Sequence, residues 1–88
     1  MTIKKEHRDK LTEAAKGIYR FYYLLSDESK NRGMNKGRGY SYRYIRDVII
    51  YGTNDNIEIM ELAIELIEKI KKEKQDRIFE LEAKIEAL

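Results

Sequence analysis

The sequence has no cysteine, no proline and no long apolar run. Without cysteine the chain can form neither disulfides nor thiolate metal sites, and this composition fits a reducing cytoplasm. No apolar run approaches the roughly 18 residues of a membrane span, and the charged N-terminal segment lacks the apolar core of a signal peptide. We therefore expect a cytoplasmic protein without a membrane partner. Its 88 residues are enough for one domain, whose core is of a size that oligomerisation commonly stabilises.

Residues that carry catalytic chemistry are also scarce. The single histidine, His7, is expected at the surface, and the Gly-x-Gly of residues 37–39 does not follow a strand as a nucleotide-binding loop would. Four carboxylates form a stripe at helical spacing, made of Glu58, Glu61, Glu65 and Glu68. Because no histidine accompanies them, a solvated helix face is a better interpretation than a metal site. We predict a protein that is not an enzyme and that binds neither a cofactor nor a metal ion.

The chain is rich in charge, and the two signs are distributed unevenly. Asp, Glu, Lys and Arg make up 39% of the residues, although the formal net charge is only +2. Residues 1–52 hold 12 Lys/Arg and 6 Asp/Glu, a net charge of +6, whereas residues 53–88 hold 6 Lys/Arg and 10 Asp/Glu, a net charge of −4. This asymmetry predicts that the first part contacts a polyanion and that the second part does not.

Apolar side chains recur at helical intervals along most of the chain, which predicts an all-α fold. The first periodic segment covers residues 6–25. Its apolar face consists of Leu11, Ala14, Ala15, Ile18, Tyr22 and Leu25. A second helix is expected over residues 41–51, with Ser41 as its N-cap and Gly52 just past its end.

A third helix is predicted over residues 56–88, after a turn in which Asp55 and Glu58 resemble a capping box. At about 1.5 Å per residue it would be roughly 50 Å long, which is more than a domain of this size can cover. We therefore divide the chain into a helical domain, residues 1–72, and a C-terminal helical tail, residues 73–88.

A heptad pattern runs along this third helix, with apolar residues at eight of ten a and d positions. The a positions are Ile57, Ile64, Lys71, Ile78 and Ile85, and the d positions are Met60, Ile67, Lys74, Leu81 and Leu88. Beyond the two lysines the pattern resembles a short coiled coil. It predicts an oligomerisation surface that consists of Ile78, Leu81, Ile85 and Leu88. The flanking residues Arg77 and Glu82 suit a parallel partner, and the alternative is a helix that folds back on its own domain.

Between the first two helices the periodicity is lost. Residues 26–29 could begin a short helix, and residues 29–40 are predicted to be a basic loop punctuated by glycine. Six cations and no acid occur from this loop into the next helix. Such cations neutralise phosphates, while tyrosines can bond phosphates or stack on bases. The predicted nucleic-acid-binding residues are Lys30, Arg32, Lys36, Arg38, Tyr40, Ser41, Tyr42, Arg43 and Arg46. The alternative is a flexible, solvated loop with its tyrosines in the core.

The stretch of residues 40–72, YSYRYIRDVIIYGTNDNIEIMELAIELIEKIKK, resembles part of a known group. It is similar to small helix-turn-helix DNA-binding proteins of Bacteroidetes-type bacteria and their phages. There a segment Ser-x-x-Tyr-Val/Ile-x-x-Val-Leu/Ile-x-x-Gly forms the recognition helix, and a short polar turn and a helix rich in Ala, Leu or Ile, and Glu follow. The matching positions here are Ser41, Tyr44, Ile45, Val48, Ile49 and Gly52, followed by Met60, Ala63, Ile64 and Ile67.

The resemblance implies that the helix beginning at Ser41 enters the major groove. Arg43 would then read guanine through its O6 and N7 acceptors, and Asp47 would accept from cytosine or hold Arg43 in place. Ile50 would touch a thymine methyl or belong to an oligomer interface. The Gly- and Arg-rich loop departs from the sequence pattern of these helix-turn-helix proteins. Either residues 26–32 rebuild the first helix of the motif, or the loop replaces that helix and grips the nucleic acid directly.

These patterns predict an oligomeric all-α protein, with a small helix-turn-helix-like domain, that binds double-stranded DNA. It would act as a small transcriptional regulator or genome-organising factor in a bacterium or a phage-infected host cell. One alternative is a protein-interaction or inhibitor module whose basic surface docks on an acidic partner. Another is a binder of single-stranded DNA or RNA, in which the tyrosines stack on bases.

Overall fold

The structure is a computed structural model that describes residues 3–88, and the residues it describes contain helices but no strand. Helix α1 spans Lys5–Ala15, α2 spans Phe21–Asn31, α3 spans Tyr42–Arg46 and continues as a π-helical turn over Asp47–Tyr51, and α4 spans Ile57–Glu86. The prediction of an all-α fold with a long C-terminal helix is confirmed.

The prediction of one helix over residues 6–25 is wrong, because the chain turns between α1 and α2. Gly17 has a φ of 93° and Arg20 a φ of 56°, and these left-handed residues end one helix and precede the next. The apolar periodicity continues across the turn because both helices bury side chains in the same core. Ala14, expected on the apolar face, is exposed, whereas Phe21 is buried.

Residues 26–29 do not begin a separate short helix either. They form the second half of α2, which continues to Asn31 before the chain enters a connection of ten residues, 32–41. A helix-turn-helix motif ordinarily joins its helices with a turn of about three or four residues. The predicted basic loop therefore begins inside a helix, and its exposed part is an unusually long connection to α3.

Helix α3 begins and ends as its sequence predicts. The hydroxyl of Ser41 accepts a hydrogen bond from the backbone N–H of Tyr44 at 3.2 Å, and Gly52 takes a left-handed φ of 64° just past the π-helical turn. Arg8 of α1 donates to the carbonyl oxygen of Ile50 at 3.0 Å. A Cβ on Gly52 would lie 2.5 Å from Cζ of Arg8, so glycine is also required for this contact.

The core lies where all four helices meet. Leu25 of α2, Ile45 of α3 and Ile59 of α4 are each 0% exposed. The other buried apolar side chains are Leu11, Ala15, Phe21, Val48, Ile49, Leu62, Ala63 and Ile67. Because Ile45, Val48 and Ile49 all point inward, α3 is fixed in rotation, and its opposite side faces solvent.

Helix α4 has a different cap from the predicted one and a free second half. Asn56 is the N-cap, and its side-chain oxygen accepts from the backbone N–H of Ile59 at 3.2 Å. Asp55 instead accepts from the backbone N–H of Ile3 at 3.1 Å. All residues of α4 from Lys71 onward are exposed, and the molecule measures 53 × 30 × 20 Å. The tail does not fold back on the domain.

Candidate nucleic-acid interface

Helix α3 turns one arginine outward between two flanks of tyrosine and arginine. Ile45 points into the core, and at about 100° per residue Arg43 lies on the opposite side, where it is exposed. Tyr42 and Arg46 lie on one flank and Tyr44 on the other, all partly buried. The helix therefore presents the guanidinium of Arg43 at the centre of its solvent side.

Two buried serines of α2 form hydrogen bonds with the backbone just before α3. The Ser29 hydroxyl accepts from the backbone N–H of Tyr40 at 2.8 Å and donates to the carbonyl of Ser26 at 2.7 Å. The Ser26 hydroxyl donates to the carbonyl of Tyr40 at 2.7 Å. Both backbone groups of Tyr40 are thus paired with side chains of α2, as a buried peptide group requires. The start of α3 is positioned by these bonds.

The rest of the connection is folded on itself and is not a free coil. The backbone N–H of Gly39 donates to the carbonyl of Met34 at 2.8 Å, and the side-chain amide of Asn35 donates to the carbonyl of Gly39 at 3.0 Å. Lys36 lies between them with a φ of 57° and is exposed to solvent. The alternative of a flexible loop does not fit this hydrogen bonding.

Gly39 allows the connection to lie directly against α2. A Cβ at this position would lie 2.9 Å from Cα of Lys30, and its φ of 70° is left-handed. The close approach forms one wall of an open cleft of about 540 Å³. The cleft is lined by Lys30, Asn35, Arg38, Gly39, Tyr40, Ser41 and Tyr44.

This cleft brings together four of the predicted nucleic-acid-binding residues: Lys30, Arg38, Tyr40 and Ser41. It offers two cations, hydroxyl groups and the amide of Asn35 beside the first turn of α3. Ammonium, guanidinium and hydroxyl groups are the usual donors to phosphate oxygens. The geometry therefore suits one phosphate of a backbone that runs past the start of α3.

Arg32 differs from the cations of the cleft because two carboxylates of the chain form ion pairs with it. Its Nε donates to Glu28 at 2.9 Å and its Nη1 to Glu65 at 2.6 Å. Hydrogen bonds to both carboxylates raise the pKa of Arg32. The expectation that all six cations lack a counter-charge is wrong for Arg32 and also for Arg46, whose guanidinium lies 3.5 Å from the Asp47 carboxylate, because these acids lie outside the basic segment.

A ladder of arginine and tyrosine side chains in contact flanks α3 on its other side, in the order Arg20, Tyr23, Tyr42, Arg46 and Tyr51. Cζ of Arg20 lies 4.7 Å from the ring centre of Tyr23, whose ring stacks on Tyr42 at 4.3 Å with an interplanar angle of 17°. Cζ of Arg46 lies 5.8 Å from the ring centre of Tyr42 and 6.0 Å from that of Tyr51. Such contacts hold guanidinium groups over aromatic faces without neutralising their charge. We call these five residues the Arg–Tyr ladder.

Several tyrosine faces of the predicted interface are already occupied within the chain. Tyr40 stacks on Tyr44 at 5.2 Å with an interplanar angle of 14°, and Tyr42 stacks in the ladder while Tyr22 meets it edge-on. Burial raises the pKa of the Tyr22 hydroxyl, the Thr12 hydroxyl opposes this shift, and Tyr42 adds to it. Each stacked contact covers one face of a ring, so fewer aromatic faces remain open for nucleic-acid bases.

Asp47 pairs with a neighbour other than the one expected. Its carboxylate lies 3.5 Å from Arg46, and within residues 3–88 no ion pair joins it to Arg43. Ile50 is 37% exposed and Tyr51 65% exposed, so both are accessible beside the outward side of α3. Arg43 is therefore unrestrained by an acid.

The other candidate residues lie on α4 or at its end, except His7, which is in α1. The four predicted oligomerisation residues are exposed: Ile78, Leu81, Ile85 and Leu88. His7 and the acidic stripe are also exposed, and the part of the chain that the structure describes contains no cluster of three His, Asp or Glu side chains able to hold a metal ion. No helix among residues 3–88 is long and apolar enough to cross a membrane.

Sequence reasoning missed Arg20, Tyr23 and Asn35. The sequence predicts that Arg20 and Tyr23 lie within one helix over residues 6–25, because apolar periodicity does not reveal the turn before α2. The spacing of Arg20 and Tyr23, three residues apart, is compatible with one helix face, although nothing in it indicates contact with Tyr42. Asn35 has a left-handed φ of 52°, which asparagine tolerates better than most residues.

Comparison with known proteins adds no functional information. No protein-family model, curated protein or solved structure matches this chain.

Proposed function

We propose that this protein binds double-stranded DNA and serves as a small transcriptional regulator or genome-organising factor. On this proposal it is not an enzyme and acts in the cytoplasm of a bacterium or a phage-infected host cell. The observation that carries the proposal is the group of cations around α3. Within the described residues, Lys30, Arg38 and Arg43 make no ion pair, whereas Arg32 makes two.

The arrangement suits a duplex whose major groove receives α3. The groove admits an α-helix, and a guanidinium at the centre of the exposed side can reach the O6 and N7 acceptors of guanine. The cleft with Lys30 and Arg38 then supplies a phosphate contact on one flank of Arg43. Arg20 of the Arg–Tyr ladder, which makes no ion pair within the described residues, supplies positive charge on the other. Phosphate contacts position the helix, and Arg43 reads bases.

Helices α2 and α3 would be the two helices of the proposed helix-turn-helix. Residues 26–31 belong to α2, which packs against α3, and this supports the interpretation in which α2 supplies the first helix of the motif. The ten-residue connection departs from the usual short turn. In our proposal it serves as an additional phosphate-binding element, with Lys36 near its tip.

The proposal favours duplex over single strands because of the tyrosines. A single-strand binder stacks bases on open aromatic faces. Here Tyr40, Tyr42 and Tyr44 stack on other rings of the chain. Their contribution to binding would be hydroxyl contacts to phosphates, which a duplex offers as well.

The tail would join several such domains. Linking two DNA-binding modules converts the second contact into an intramolecular one, which raises overall affinity without new contacts. The exposed apolar residues on the tail support this part of the proposal, because apolar side chains exposed to solvent along one helix face indicate a surface that binds another protein.

Fluorescence anisotropy with labelled duplex DNA, single-stranded DNA and RNA, each over a series of salt concentrations, tests the proposal. We expect the duplex to bind most tightly, with a log–log salt slope of about −0.9 per phosphate contacted. Tighter binding to single strands would contradict the duplex proposal. No binding at low salt would contradict nucleic-acid binding altogether and favour an acidic protein partner.

Two arginine variants provide a matched comparison for the same assay. Arg38→Ala should weaken binding to all duplexes and reduce the magnitude of the salt slope by about 1. Arg32→Ala removes the same charge and should leave the slope unchanged, because Arg32 is already paired with Glu28 and Glu65. Equal effects of the two changes would show that net charge, and not the cleft, determines binding.

A further inference from the structure

The tail of α4 carries a stripe of exposed apolar residues, which we call the seam and which consists of Ile78, Leu81, Ile85 and Leu88. Ile78 is 46% exposed, and Leu81 and Ile85 are each 57% exposed. In the first half of the same helix, Ile59, Leu62, Ala63 and Ile67 are buried against the domain. The domain ends before the seam begins, and every residue from Lys71 onward is exposed.

The types of apolar residue in the seam indicate how many helices pair in the coiled coil. In the tail both a positions are isoleucine and both d positions are leucine. A β-branched residue at a with leucine at d favours two parallel strands, because each shape suits the local packing angle of a parallel dimer. Lys71 and Lys74 end the seam on its N-terminal side, so the predicted pairing is confined to about two heptads.

The charges beside the seam indicate the orientation. In a parallel pair, Arg77 at a g position faces the partner's Glu82 at an e position. In an antiparallel pair with the same apolar contacts, Glu82 faces the partner's Glu82 and Lys84 the partner's Lys84, and both contacts are repulsive. Within the described residues neither Arg77 nor Glu82 is engaged in an ion pair, so both remain available.

We propose that the tail pairs with a second copy of this chain as a parallel, in-register, two-stranded coiled coil in which Arg77 meets the partner's Glu82. The two-fold axis then runs along the tail, and both helical domains lie at the same end of the dimer. A dimer of this symmetry presents two copies of α3 related by a two-fold axis. This last consequence rests on the proposed function, and it predicts an inverted-repeat DNA site.

Charge exchange on the full chain, followed by analytical ultracentrifugation, tests the orientation. Arg77→Glu and Glu82→Arg should each raise the dimer dissociation constant roughly tenfold, because each change replaces two attractive pairs with two repulsive ones. The double variant should restore the original value. In an antiparallel pair Glu82 already faces a like charge and Arg77 does not meet the partner's Glu82, so single changes without effect, or a double variant that is not restored, would overturn the proposal.

A cysteine cross-link gives an independent result, since the natural chain contains no cysteine. Ile85→Cys should form a disulfide-linked dimer under mild oxidation, because in-register parallel strands place position 85 beside itself. An antiparallel pair would instead join position 81 of one chain to position 85 of the other. Cross-linking only in a mixture of Leu81→Cys and Ile85→Cys chains would overturn the parallel arrangement.

Adjacent residues provide the control for the seam itself. Ile78→Ser should abolish the dimer at micromolar concentration, whereas Phe79→Ser removes an even more exposed apolar residue outside the seam and should not. If the unmodified chain is monomeric at tens of micromolar, or if only Phe79→Ser dissociates it, the proposed coiled coil is wrong. These measurements contain no nucleic acid, so their failure is distinguishable from a failure of DNA binding.

Discussion

The two halves of α4 have the same heptad frame and opposite environments. In the first half, apolar residues also occur outside the seam, at Leu62, Ala63 and Leu66, and the domain covers that side of the helix, whereas Ile57 and Ile64 at the a positions are exposed. In the second half they are confined mainly to the seam, and all are exposed. A broad apolar face suits a globular core, whereas a narrow one suits another helix. The comparison shows that the width of the stripe, more than its period, distinguishes the two environments.

Removing the tail should produce the largest change in self-association and DNA affinity, and it directly tests the difference between the two halves of α4. A chain that ends at Gln75 should keep its helical domain, because all buried residues precede that position. It should be monomeric and bind DNA roughly 10²–10⁴-fold more weakly, since the second contact is no longer intramolecular. Sedimentation and anisotropy, with the full chain as reference, measure both quantities. Unchanged mass and affinity would contradict the role given to the tail.

Two isoleucines on the same helix sharpen the comparison. Ile59→Ala should lower the free energy of unfolding by about 2–5 kcal/mol, because Ile59 is 0% exposed and its removal leaves a cavity. Ile85→Ala should change the free energy of unfolding of the monomer by less than about 0.5 kcal/mol and weaken only self-association. Urea denaturation of both variants at low and high protein concentration separates the effects. Similar losses for both variants in the monomer would mean that the tail packs on its own domain.

The same contrast between buried and exposed groups applies to two serines near α3, the buried Ser29 and the exposed Ser41. Ser29→Ala should lower the free energy of unfolding by about 1–3 kcal/mol, because it leaves the N–H of Tyr40 without its bond to Ser29. Ser41→Ala, at the exposed N-cap, should cost about 1 kcal/mol. Urea denaturation measures both. If Ser29→Ala costs no more than Ser41→Ala, the serine contacts do not position α3 as we infer.

The smallest expected effect concerns the pH dependence of stability. Because burial raises the pKa of Tyr22 above its ordinary value of 10.0, its contribution to stability is present below that pH and is lost as pH rises through the folded-state pKa. Tyr22→Phe should therefore lose less stability than the natural protein between pH 9 and about 11. Tyr19, which is 85% exposed, provides the control, and Tyr19→Phe should behave as the natural protein does. Urea denaturation at several pH values checks this order.

Much of the fold could be predicted because local chemistry determines it. Ser41 and Gly52 bound α3 as predicted, since a capping hydroxyl and a left-handed glycine act over a few residues. The apolar period of residues 57–70 likewise identified a helix that packs on a core. The sequence predicts the cap of α4 one residue early, at Asp55 instead of Asn56, because both residue types can cap a helix and only the backbone path selects between them.

By itself, then, the sequence determined the helical class, the bounds of α3, the apolar positions of the tail and the surplus of positive charge. Only the tertiary structure decided which cations act together. Glu65 neutralises Arg32 from a distance of 33 residues, and Arg20 reaches the ladder through a turn that apolar periodicity does not reveal. The physical reason is that a helical period specifies which residues share a face, whereas ion pairs and ring stacks depend on how separate helices pack.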